Sequence, residues 1–331
     1  MSKKVMVFGA GAWGTALANA ISNINNVSLW LRNSQQLLAM QNTYINHKYL
    51  PDIALNKKLK FTDNLKCAID SDILVIATPS HVFPQIIQDL KPYIYNQSIV
   101  WICKGFINFN SGVYLAHEVI DFLLPNYTNT GVLTGPSFAK EVAIGLPCAL
   151  TAASHSLDWQ STIQSAFHNK NLRIYTSNDI IGCELGGALK NILAIATGIT
   201  NGLELGLNAQ AALLTRGISE MIRLSSALGA NPQTLMGLSG VGDLILTANG
   251  ILSRNRTVGI LLGQGKKLEN ILSELGHVAE GVNSAKLAYK IARTHNIDTP
   301  LIDAVNNVLF NHYTPQQVVD SLLSRQAKSE N

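Results

Sequence analysis

The stretch Val5-Met6-Val7-Phe8-Gly9-Ala10-Gly11-Ala12-Trp13-Gly14-Thr15-Ala16-Leu17-Ala18 decides the fold of this 331-residue chain. An apolar run that ends in a glycine turn and passes into small residues predicts a strand, a tight turn and a helix. Gly9, Gly11 and Gly14 have the G-x-G-x-x-G spacing, in which glycine permits positive φ and lets backbone N–H groups approach a pyrophosphate at the helix N-terminus. The spacing alone would also suit a structural turn, but the strand before it and the helix after it favour a dinucleotide site.

Composition limits the classes of protein to consider. The length suggests two domains, and 47% hydrophobic with 14% charged residues is typical of a soluble globular protein with an ample core. The formal net charge of +4 comes without a basic run or interleaved aromatic residues, which argues against a nucleic-acid partner; a small anionic ligand is enough to account for it. The eight histidines include no pair at i, i+4 on a helix, so we expect no metal site.

Neither stable membrane insertion nor a disulfide framework is expected. The most apolar predicted helix, around residues 192–199, is interrupted by Thr197 and Gly198 and is too short to cross a bilayer. Four isolated cysteines lack metal or redox spacing, which favours a cytoplasmic, reducing location. They are Cys67, Cys103, Cys148 and Cys183.

A second apolar run, residues 27–31, ends at Arg32, where a parallel strand would reach the adenine ribose. NAD-selective folds carry Asp or Glu about 20 residues past the glycines to bind the ribose 2′-OH, whereas Arg accommodates a 2′-phosphate. No Asp or Glu precedes Asp52, so nothing local would repel the extra phosphate. We therefore expect NADP to be accepted and preferred to NAD; the alternative is that Arg32 is only a solvated surface residue.

Further short apolar runs alternate with helical stretches in the first half of the chain. They are residues 73–77, 99–103, 132–134, 149–153 and 172–176. This alternation is typical of an α/β fold with a Rossmann-type, mostly parallel sheet and helices on both faces. Because ligands bind beyond the carboxyl ends of such strands, we expect one cleft to be lined by the segments that follow three of the runs. These segments are residues 78–80, 104–105 and 135–139.

The character of the sequence changes near Asn178, after which it reads as helices. We therefore divide the chain into a dinucleotide-binding Rossmann domain, residues 1–180, and an all-helical substrate and catalytic domain, residues 181–331. Within the second part, residues 237–243 predict a glycine-rich loop that delivers one carboxylate, Asp243.

One lysine in the helical half is unusual. Residues 184–198 are apolar on nearly all sides and predict a buried helix, yet Lys190 lies within it. The helix face around Lys190 has little side-chain volume, because the positions i−4, i−3 and i+4 are Gly186, Gly187 and Ala194. Something other than a side chain can therefore pack against this face. Such a lysine is unfavourable unless paired or functional, and desolvation or a nearby cation would lower its pKa toward the range useful for proton transfer. We predict a catalytic role, with a snorkelling or salt-bridged structural lysine as the alternative.

A candidate phosphate site begins at Ser253, which predicts the N-cap of a helix ending at Gly263. The first turn of this helix holds Arg254, Asn255 and Arg256, although cations are unfavourable beside the positive end of the helix dipole. A bound anion would reverse that effect, because backbone N–H groups, a hydroxyl, a guanidinium and an amide together can bind phosphate. The alternative is an incidental exposed basic turn.

Taken together, these motifs resemble the NAD(P)-dependent glycerol-3-phosphate dehydrogenases of bacterial type along nearly the whole chain. The resemblance rests on residues 9–15 (GAGAWGT), 49–51 (YLP), 104–105 (KG), 135–139 (GPSFA), 184–191 (ELGGALKN), 242–244 (GDL) and 253–256 (SRNR). It implies a Rossmann domain followed by a helical domain, NADP or NAD as cofactor, and interconversion of dihydroxyacetone phosphate and sn-glycerol 3-phosphate. It also implies a supply of glycerophospholipid backbones and a homodimer.

The resemblance further implies roles for individual residues. Cofactor contacts fall on Gly9, Gly11, Ala12, Trp13, Gly14, Arg32, Tyr49, Lys104, Ala139, Arg254, Val278 and Glu280. Substrate contacts fall on Lys104, Gly135, Ser137, Lys190, Asp243, Ser253, Arg254 and Asn255. Lys190 is the implied proton donor or acceptor, and Asp243 would orient its ammonium. Ala12 stands where relatives often have Ser, so one phosphate hydrogen bond is expected to be lost.

Two other functions are compatible with parts of the pattern. A ketopantoate-reductase-like NADPH enzyme would also join a glycine-turn domain to helices and use a lysine, but its substrate carries a carboxylate and no phosphate. A protein that senses NADP without chemistry would need the glycine turn alone. The second is disfavoured because a sensor needs no proton donor.

Overall fold

The computed structural model of the chain describes residues 2–275, 279–326 and 329. The chain forms two compact units, residues 1–184 and 185–331. The division falls inside a helix, Ile180–Gly202, four residues after the domain boundary at 180 that the sequence suggested.

The strands formed by the described residues all lie in the first unit. They are β1 (Lys4–Phe8), β2 (Asn26–Trp30), β3 (Ile45–Asn46), β4 (Leu50–Ala54), β5 (Lys60–Thr62), β6 (Ile73–Ile76), β7 (Ser98–Trp101), β8 (Ile107–Phe109), β9 (Gly112–Tyr114), β10 (Thr130–Thr134), β11 (Cys148–Ala153) and β12 (Leu172–Ser177). Among the described residues, eight of them form one sheet in the order β12-β11-β10-β7-β6-β1-β2-β5. Neighbours are parallel except β10 and β11, so the predicted mostly parallel sheet is confirmed. The short hairpins β3–β4 and β8–β9 were not predicted.

Helices cover both faces of this sheet. They are α1 (Ala12–Ile21), α2 (Ser34–Thr43), α3 (Phe83–Leu90), α4 (Ala116–Leu123), α5 (Ala139–Ala143) and α6 (Leu157–Phe167). Side chains alternate between the faces of a strand, so Val5 and Val7 of β1 join the apolar cluster under α1 and α6, whereas Met6 and Phe8 join the one under α3 and α4. Burial on both faces explains why the strands read as continuous apolar runs.

The elements that the described residues of the second unit form are helices, as predicted. The helices are α7 (Ile180–Gly202), which begins in the first unit, α8 (Gly206–Ala227), α9 (Pro232–Leu235), α10 (Asp243–Asn249), α11 (Arg254–Gly263), α12 (Leu268–Leu275), α13 (Glu280–Thr294), α14 (Pro300–Phe310) and α15 (Pro315–Leu323). The expected loop at residues 237–243 is wrong. Leu238–Gly242 form one wide π-helical turn that leads directly into α10, closed by the N–H of Gly242 donating to the carbonyl of Gly237. Glycines allow so wide a turn because they add no side-chain bulk.

The expected length of the most apolar helix is also wrong. α7 continues through Thr197 and Gly198 to 23 residues, which is enough to cross a membrane by length and composition. The joined segments Pro232–Asn249 and Arg254–Gly263, bent by 52°, pass the same test together. Within the fold, however, 94% of the apolar window of α7 is buried by the rest of the protein, as in a core helix.

Candidate active site

Glycine is needed for a different reason at each of the three glycines of the first turn. Gly9 has a φ of +118°, which L side chains rarely adopt. A Cβ on Gly14 would lie 2.1 Å from the carbonyl oxygen of Gly9, so α1 can pack there only with glycine. A Cβ on Gly11 would meet no protein atom within 4 Å, so the fold itself does not require this glycine. In dinucleotide sites the second glycine lets the backbone approach the pyrophosphate, and the turn fits that group.

A small apolar cluster lies beside the turn, where α1 packs against α5. Ala12, Trp13 and Ala139, three of the predicted cofactor residues, belong to it. The indole Nε1 of Trp13 is buried and has no hydrogen-bond partner among the described residues. Because buried donors are normally satisfied, this atom fits a site that receives a polar ligand group.

The predicted ribose end of the site lies after β2. Arg32 is exposed, which suits a 2′-phosphate ligand and a solvated surface residue equally. The next residue, Asn33, caps α2 by accepting a hydrogen bond from the backbone N–H of Gln36 at 2.8 Å. Tyr49 is half-buried in the hairpin β3–β4, with the ammonium of Lys48 5.2 Å from its ring centre.

Three predicted substrate residues meet at the carboxyl edge of the sheet. Lys104 follows β7 and Gly135 follows the neighbouring strand β10. Lys104 Nζ donates to the carbonyl oxygen of Gly135 at 2.9 Å, and Ser137 Oγ donates to the same oxygen at 3.0 Å. The parallel strands therefore bring a cation and a hydroxyl together at one carbonyl, as expected for strand ends that face one cleft.

Two buried hydroxyls at the same edge have no hydrogen-bond partner among the described residues. They are Thr78 Oγ1, just past β6, and Thr134 Oγ1, at the end of β10. Like the Trp13 indole, they fit an edge of the sheet that takes a polar ligand.

In the second unit, Lys190 is only 7% exposed, and its ammonium is held on two sides. Lys190 Nζ donates to Asp243 Oδ1 at 2.7 Å and to Thr247 Oγ1 at 2.8 Å, and the Thr247 hydroxyl donates to the backbone carbonyl of Asp243 at 2.7 Å. The expected contact of Asp243 with the ammonium is thus confirmed, and the snorkelling alternative is wrong. An oriented, desolvated ammonium can donate a proton or stabilise an oxyanion.

The bare face of α7 explains how Asp243 reaches Lys190. A Cβ on Gly186 would lie 2.3 Å from the backbone oxygen of Ser239, in the π-helical turn that precedes α10. Backbone therefore presses against this face, as the sequence predicted. The close approach brings the first residue of α10, Asp243, within hydrogen-bond distance of the helix that carries Lys190.

The predicted phosphate turn has the expected cap. Ser253 Oγ accepts a hydrogen bond from the backbone N–H of Arg256 at 3.2 Å, and α11 begins at Arg254, which is exposed. Asn255 is tied on both ends of its amide: Nδ2 donates to Asn191 Oδ1 at 2.9 Å, and Oδ1 accepts from the backbone N–H of Gly281 at 3.1 Å. The first turn of α11 is thereby fixed to α7 and α13.

Arg256 belongs to the same motif, but its guanidinium bonds to a residue of α7. Once the Asn201 amide is oriented to satisfy its neighbours, its oxygen accepts from the guanidinium of Arg256 at 2.7 Å, and its nitrogen donates to the carbonyl of Thr197 at 2.9 Å. Arg256 therefore joins α11 to α7, and its buried Nε has no hydrogen-bond partner among the described residues.

Glu184 begins the motif that contains Lys190, but its side chain is engaged elsewhere, in the first unit. Its carboxylate accepts from Trp101 Nε1 at 2.7 Å, from the backbone N–H of His117 and from the His117 ring. Burial alone would lower the pKa of His117, but the hydrogen bond and charge of Glu184, aided by Glu118 and Asp121, raise it above its ordinary value. The geometry gives Glu184 a structural role.

The remaining predicted residues divide between described and undescribed positions. Glu280 is the first residue of α13 and is half-buried. Val278 lies outside the described residues. Sequence reasoning missed Thr247 and Asn191, although each has a local signal: Thr247 lies one helical turn after Asp243, and Asn191 directly follows Lys190. The described residues contain no group of three or more His, Cys, Asp and Glu that could hold a metal ion.

A glycine turn between the first strand and the first helix of a mostly parallel sheet, followed by a helical unit with a buried, oriented lysine, defines the dinucleotide-dependent dehydrogenase class. Comparison with known proteins narrows the class. Family profiles described as the N-terminus and the C-terminus of NAD-dependent glycerol-3-phosphate dehydrogenase match residues 4–160 and 179–320. The chain belongs to this family.

Individual relatives agree over the full length. A glycerol-3-phosphate dehydrogenase (NAD(P)+) of Ralstonia nicotianae is 47% identical, and one of Polynucleobacter asymbioticus is 48% identical, each over 99% of both chains. The crystal structure of a glycerol-3-phosphate dehydrogenase from Coxiella burnetii has a TM-score of 0.93 at 38% identity, covering 98% of this chain and 99% of that chain. A ketopantoate reductase from Ralstonia eutropha, at 15% identity and a TM-score of 0.59, is similar in fold alone.

Proposed function

We propose that this chain is an oxidoreductase that interconverts dihydroxyacetone phosphate and sn-glycerol 3-phosphate with NADP(H) or NAD(H). The observation that carries the proposal is the buried ammonium of Lys190, held by Asp243 and Thr247. A polarised ketone needs such a donor, and a protein that only binds a nucleotide does not. Family membership supports the substrate pair.

The first unit would hold the cofactor. The N–H groups at the start of α1, beside the bare Gly11, would bind the pyrophosphate, and Trp13 and Ala139 would contact it nearby. When bound, the nicotinamide supplies the hydride to the ketone carbon or accepts it in the reverse direction. Arg32, exposed and without a neighbouring carboxylate in its motif, would accept the 2′-phosphate, so we propose that NADP is preferred to NAD.

Lys190 would manage the proton. In the reducing direction its ammonium donates a proton to the carbonyl oxygen as negative charge develops there; in the oxidising direction the neutral amine removes it. Asp243 and Thr247 fix the direction of the N–H bonds, which lowers the cost of orienting the donor in each turnover.

The phosphate of the substrate would bind at the first turn of α11. Ser253 completes the cap, Arg254 supplies an exposed guanidinium and Asn255 is held by its two partners. An anion at this helix N-terminus offsets the unfavourable placement of Arg254 beside the helix dipole. The resemblance to the family also assigns substrate contacts to Lys104, Gly135 and Ser137, and cofactor contacts to Val278 and Glu280.

Several broader properties are part of the same proposal. A cytoplasmic location is proposed because the four cysteines are isolated in the sequence and lack metal or redox spacing. A homodimer is proposed, together with a small-molecule substrate and no nucleic-acid partner. The product would supply the backbone of glycerophospholipids.

The proposal is tested by measuring initial rates of NADPH and NADH oxidation with dihydroxyacetone phosphate, and in parallel with ketopantoate. We expect turnover of dihydroxyacetone phosphate with both cofactors, and a higher kcat/KM for NADPH than for NADH. Turnover with ketopantoate alone would favour the alternative reductase, and cofactor binding without turnover on any phosphorylated ketone would favour a sensor.

A further inference from the structure

Asn46 is a fully buried amide whose hydrogen bonds converge on the glycine turn. Its exposure is 0%, and it lies in β3, outside every motif that the sequence singled out. Asn46 Nδ2 donates to the carbonyl oxygen of Ala10 and to Thr15 Oγ1, both at 2.9 Å, and its Oδ1 accepts from Gln36 Nε2 at 3.1 Å. Both donors of the amide are thus used on the turn and on α1.

The bond to Ala10 controls the direction of one important donor. Ala10 and Gly11 share a peptide unit, and in a trans peptide the C=O and the N–H point in opposite directions. Because Asn46 holds the Ala10 oxygen on its own side, the N–H of Gly11 must point to the other side. The N–H of Gly11 therefore points away from Asn46, and a Cβ on Gly11 would meet no protein atom within 4 Å.

The same amide connects the two ends of the expected cofactor site. Gln36 donates to Asn46 through its side chain and to the Asn33 side chain through its backbone N–H. A continuous series of hydrogen bonds therefore runs from Ala10 to the residue that follows Arg32. Asn46 also accepts the backbone N–H of Tyr49 at 3.2 Å through its own carbonyl.

We propose that Asn46 is a positioning residue for the cofactor: it orients the Gly11 peptide toward the pyrophosphate and fixes the turn relative to α2. The inference rests on the proposed dinucleotide site. Because the pyrophosphate is common to both cofactors, loss of Asn46 weakens NADPH and NADH by the same factor. A residue that reads the 2′-phosphate would weaken NADPH alone.

The test compares two buried asparagines of the first unit. Asn46→Leu keeps similar volume and removes the amide. Asn25→Leu is the matched control, because Asn25 is 6% exposed and its hydrogen bonds go elsewhere: it donates to the carbonyls of Ile21 and Ala166 and accepts from the N–H of Lys3. Dissociation constants for NADPH and NADH are measured by nicotinamide fluorescence, and thermal unfolding is followed for each variant.

We expect Asn46→Leu to raise both dissociation constants about tenfold, while kcat at saturating cofactor and KM for dihydroxyacetone phosphate stay within about twofold. The control should lower thermal stability comparably without changing either constant. Equal weakening in the control, or unchanged constants in Asn46→Leu, would overturn the proposal.

If Asn46→Leu does not fold, Gln36→Ala replaces it, since Gln36 is only half-buried and holds the Asn46 amide from the opposite side. A rise of about threefold in both constants supports the proposal, and no rise overturns it. Cofactor binding is measured without substrate, so the two proposals can fail separately. If the protein binds NADPH but reduces no ketone, the proposed reaction is refuted and the role of Asn46 in cofactor binding still stands.

Discussion

Lys190 illustrates how a buried charge is tolerated. Its ammonium is desolvated, but a carboxylate and a hydroxyl replace the lost water, and Asp243 is itself 0% exposed. The alternative to a catalytic lysine is a salt-bridged structural lysine, and the two roles differ in their effect on turnover. Kinetics therefore have to decide between the two roles.

We predict that Lys190→Ala lowers kcat with dihydroxyacetone phosphate by roughly 10²- to 10⁴-fold and leaves the dissociation constant of NADPH nearly unchanged. The reason is that the proton donor is lost, whereas the proposed cofactor contacts are made by other residues. Steady-state rates and cofactor titration measure the two quantities, and an exposed lysine changed in the same way, Lys267→Ala, is the control. Retained turnover in Lys190→Ala would remove this residue from the mechanism.

Arg254 should act on binding and not on chemistry. We expect Arg254→Ala to raise KM for dihydroxyacetone phosphate by roughly 10- to 100-fold, because a charge-assisted contact to phosphate is lost, with a smaller effect on kcat. Arg325→Ala, at an exposed arginine paired with Asp298, is the control. An unchanged KM in Arg254→Ala would assign the phosphate to another part of the chain.

At the scale of elements, the packing of α7 against the π-helical turn determines where Asp243 lies. In Gly186→Ala the new Cβ would meet the Ser239 backbone oxygen at 2.3 Å, so the turn must move away from α7. We expect kcat to fall at least tenfold, because Asp243 moves with the turn and Lys190 loses its orientation. In the control Gly237→Ala, the new Cβ meets only the Thr234 oxygen, at 3.3 Å. Equal activity of the two variants would contradict this coupling.

The junction of α8 and α14 contains a buried carboxyl group, from which we expect a pH-dependent stability. Glu220 on α8 is 2% exposed and accepts the backbone N–H groups of Leu301 and Ile302 at the start of α14. Burial raises the pKa of Glu220 to about 7, although those two bonds and the charge of Arg223 lower it. Because the pKa of Glu220 is higher in the folded than in the unfolded state, protonation of Glu220 stabilises the fold. This contribution to the free energy of unfolding is complete below the unfolded pKa and is lost as pH rises through about 7.

We therefore predict that the free energy of unfolding of the wild type, relative to Glu220→Gln, falls by up to about 3 kcal/mol between pH 4.5 and pH 8. Urea unfolding at several pH values measures the difference. Glu274→Gln, at an exposed carboxylate paired with Lys266, should leave the pH slope of the wild type unchanged. Parallel pH profiles for wild type and Glu220→Gln would refute the raised pKa.

At the scale of the whole molecule, the two units can be followed separately. All four tryptophans, Trp13, Trp30, Trp101 and Trp159, lie in residues 1–184. Their fluorescence therefore reports the unit that is proposed to bind the cofactor, whereas circular dichroism reports the helices of both.

We predict that NADPH at 100 times its dissociation constant stabilises the unfolding transition seen by tryptophan fluorescence by about 2.7 kcal/mol, because it binds the folded state only. Denaturant titrations with and without NADPH measure the shift, and NADPH added to an Asn46→Leu sample at the same concentration should give a smaller one. An unchanged midpoint would contradict a cofactor site in residues 1–184.

The sequence by itself determined the features that depend on near neighbours. The glycine turn, the continuous apolar strands, the cap at Ser253 and the bare face of α7 follow from spacing and local hydrogen bonding, so residues 5–18 alone predict the start of a parallel sheet. Only the tertiary structure decided that Thr247 shares the Lys190 ammonium, 57 positions along the chain, and that Asn46 holds Ala10, 36 positions away. It also made residues 238–242 helical. Periodicity and capping act within a few residues, whereas these contacts depend on which helices and hairpins pack together, and no local pattern encodes that choice.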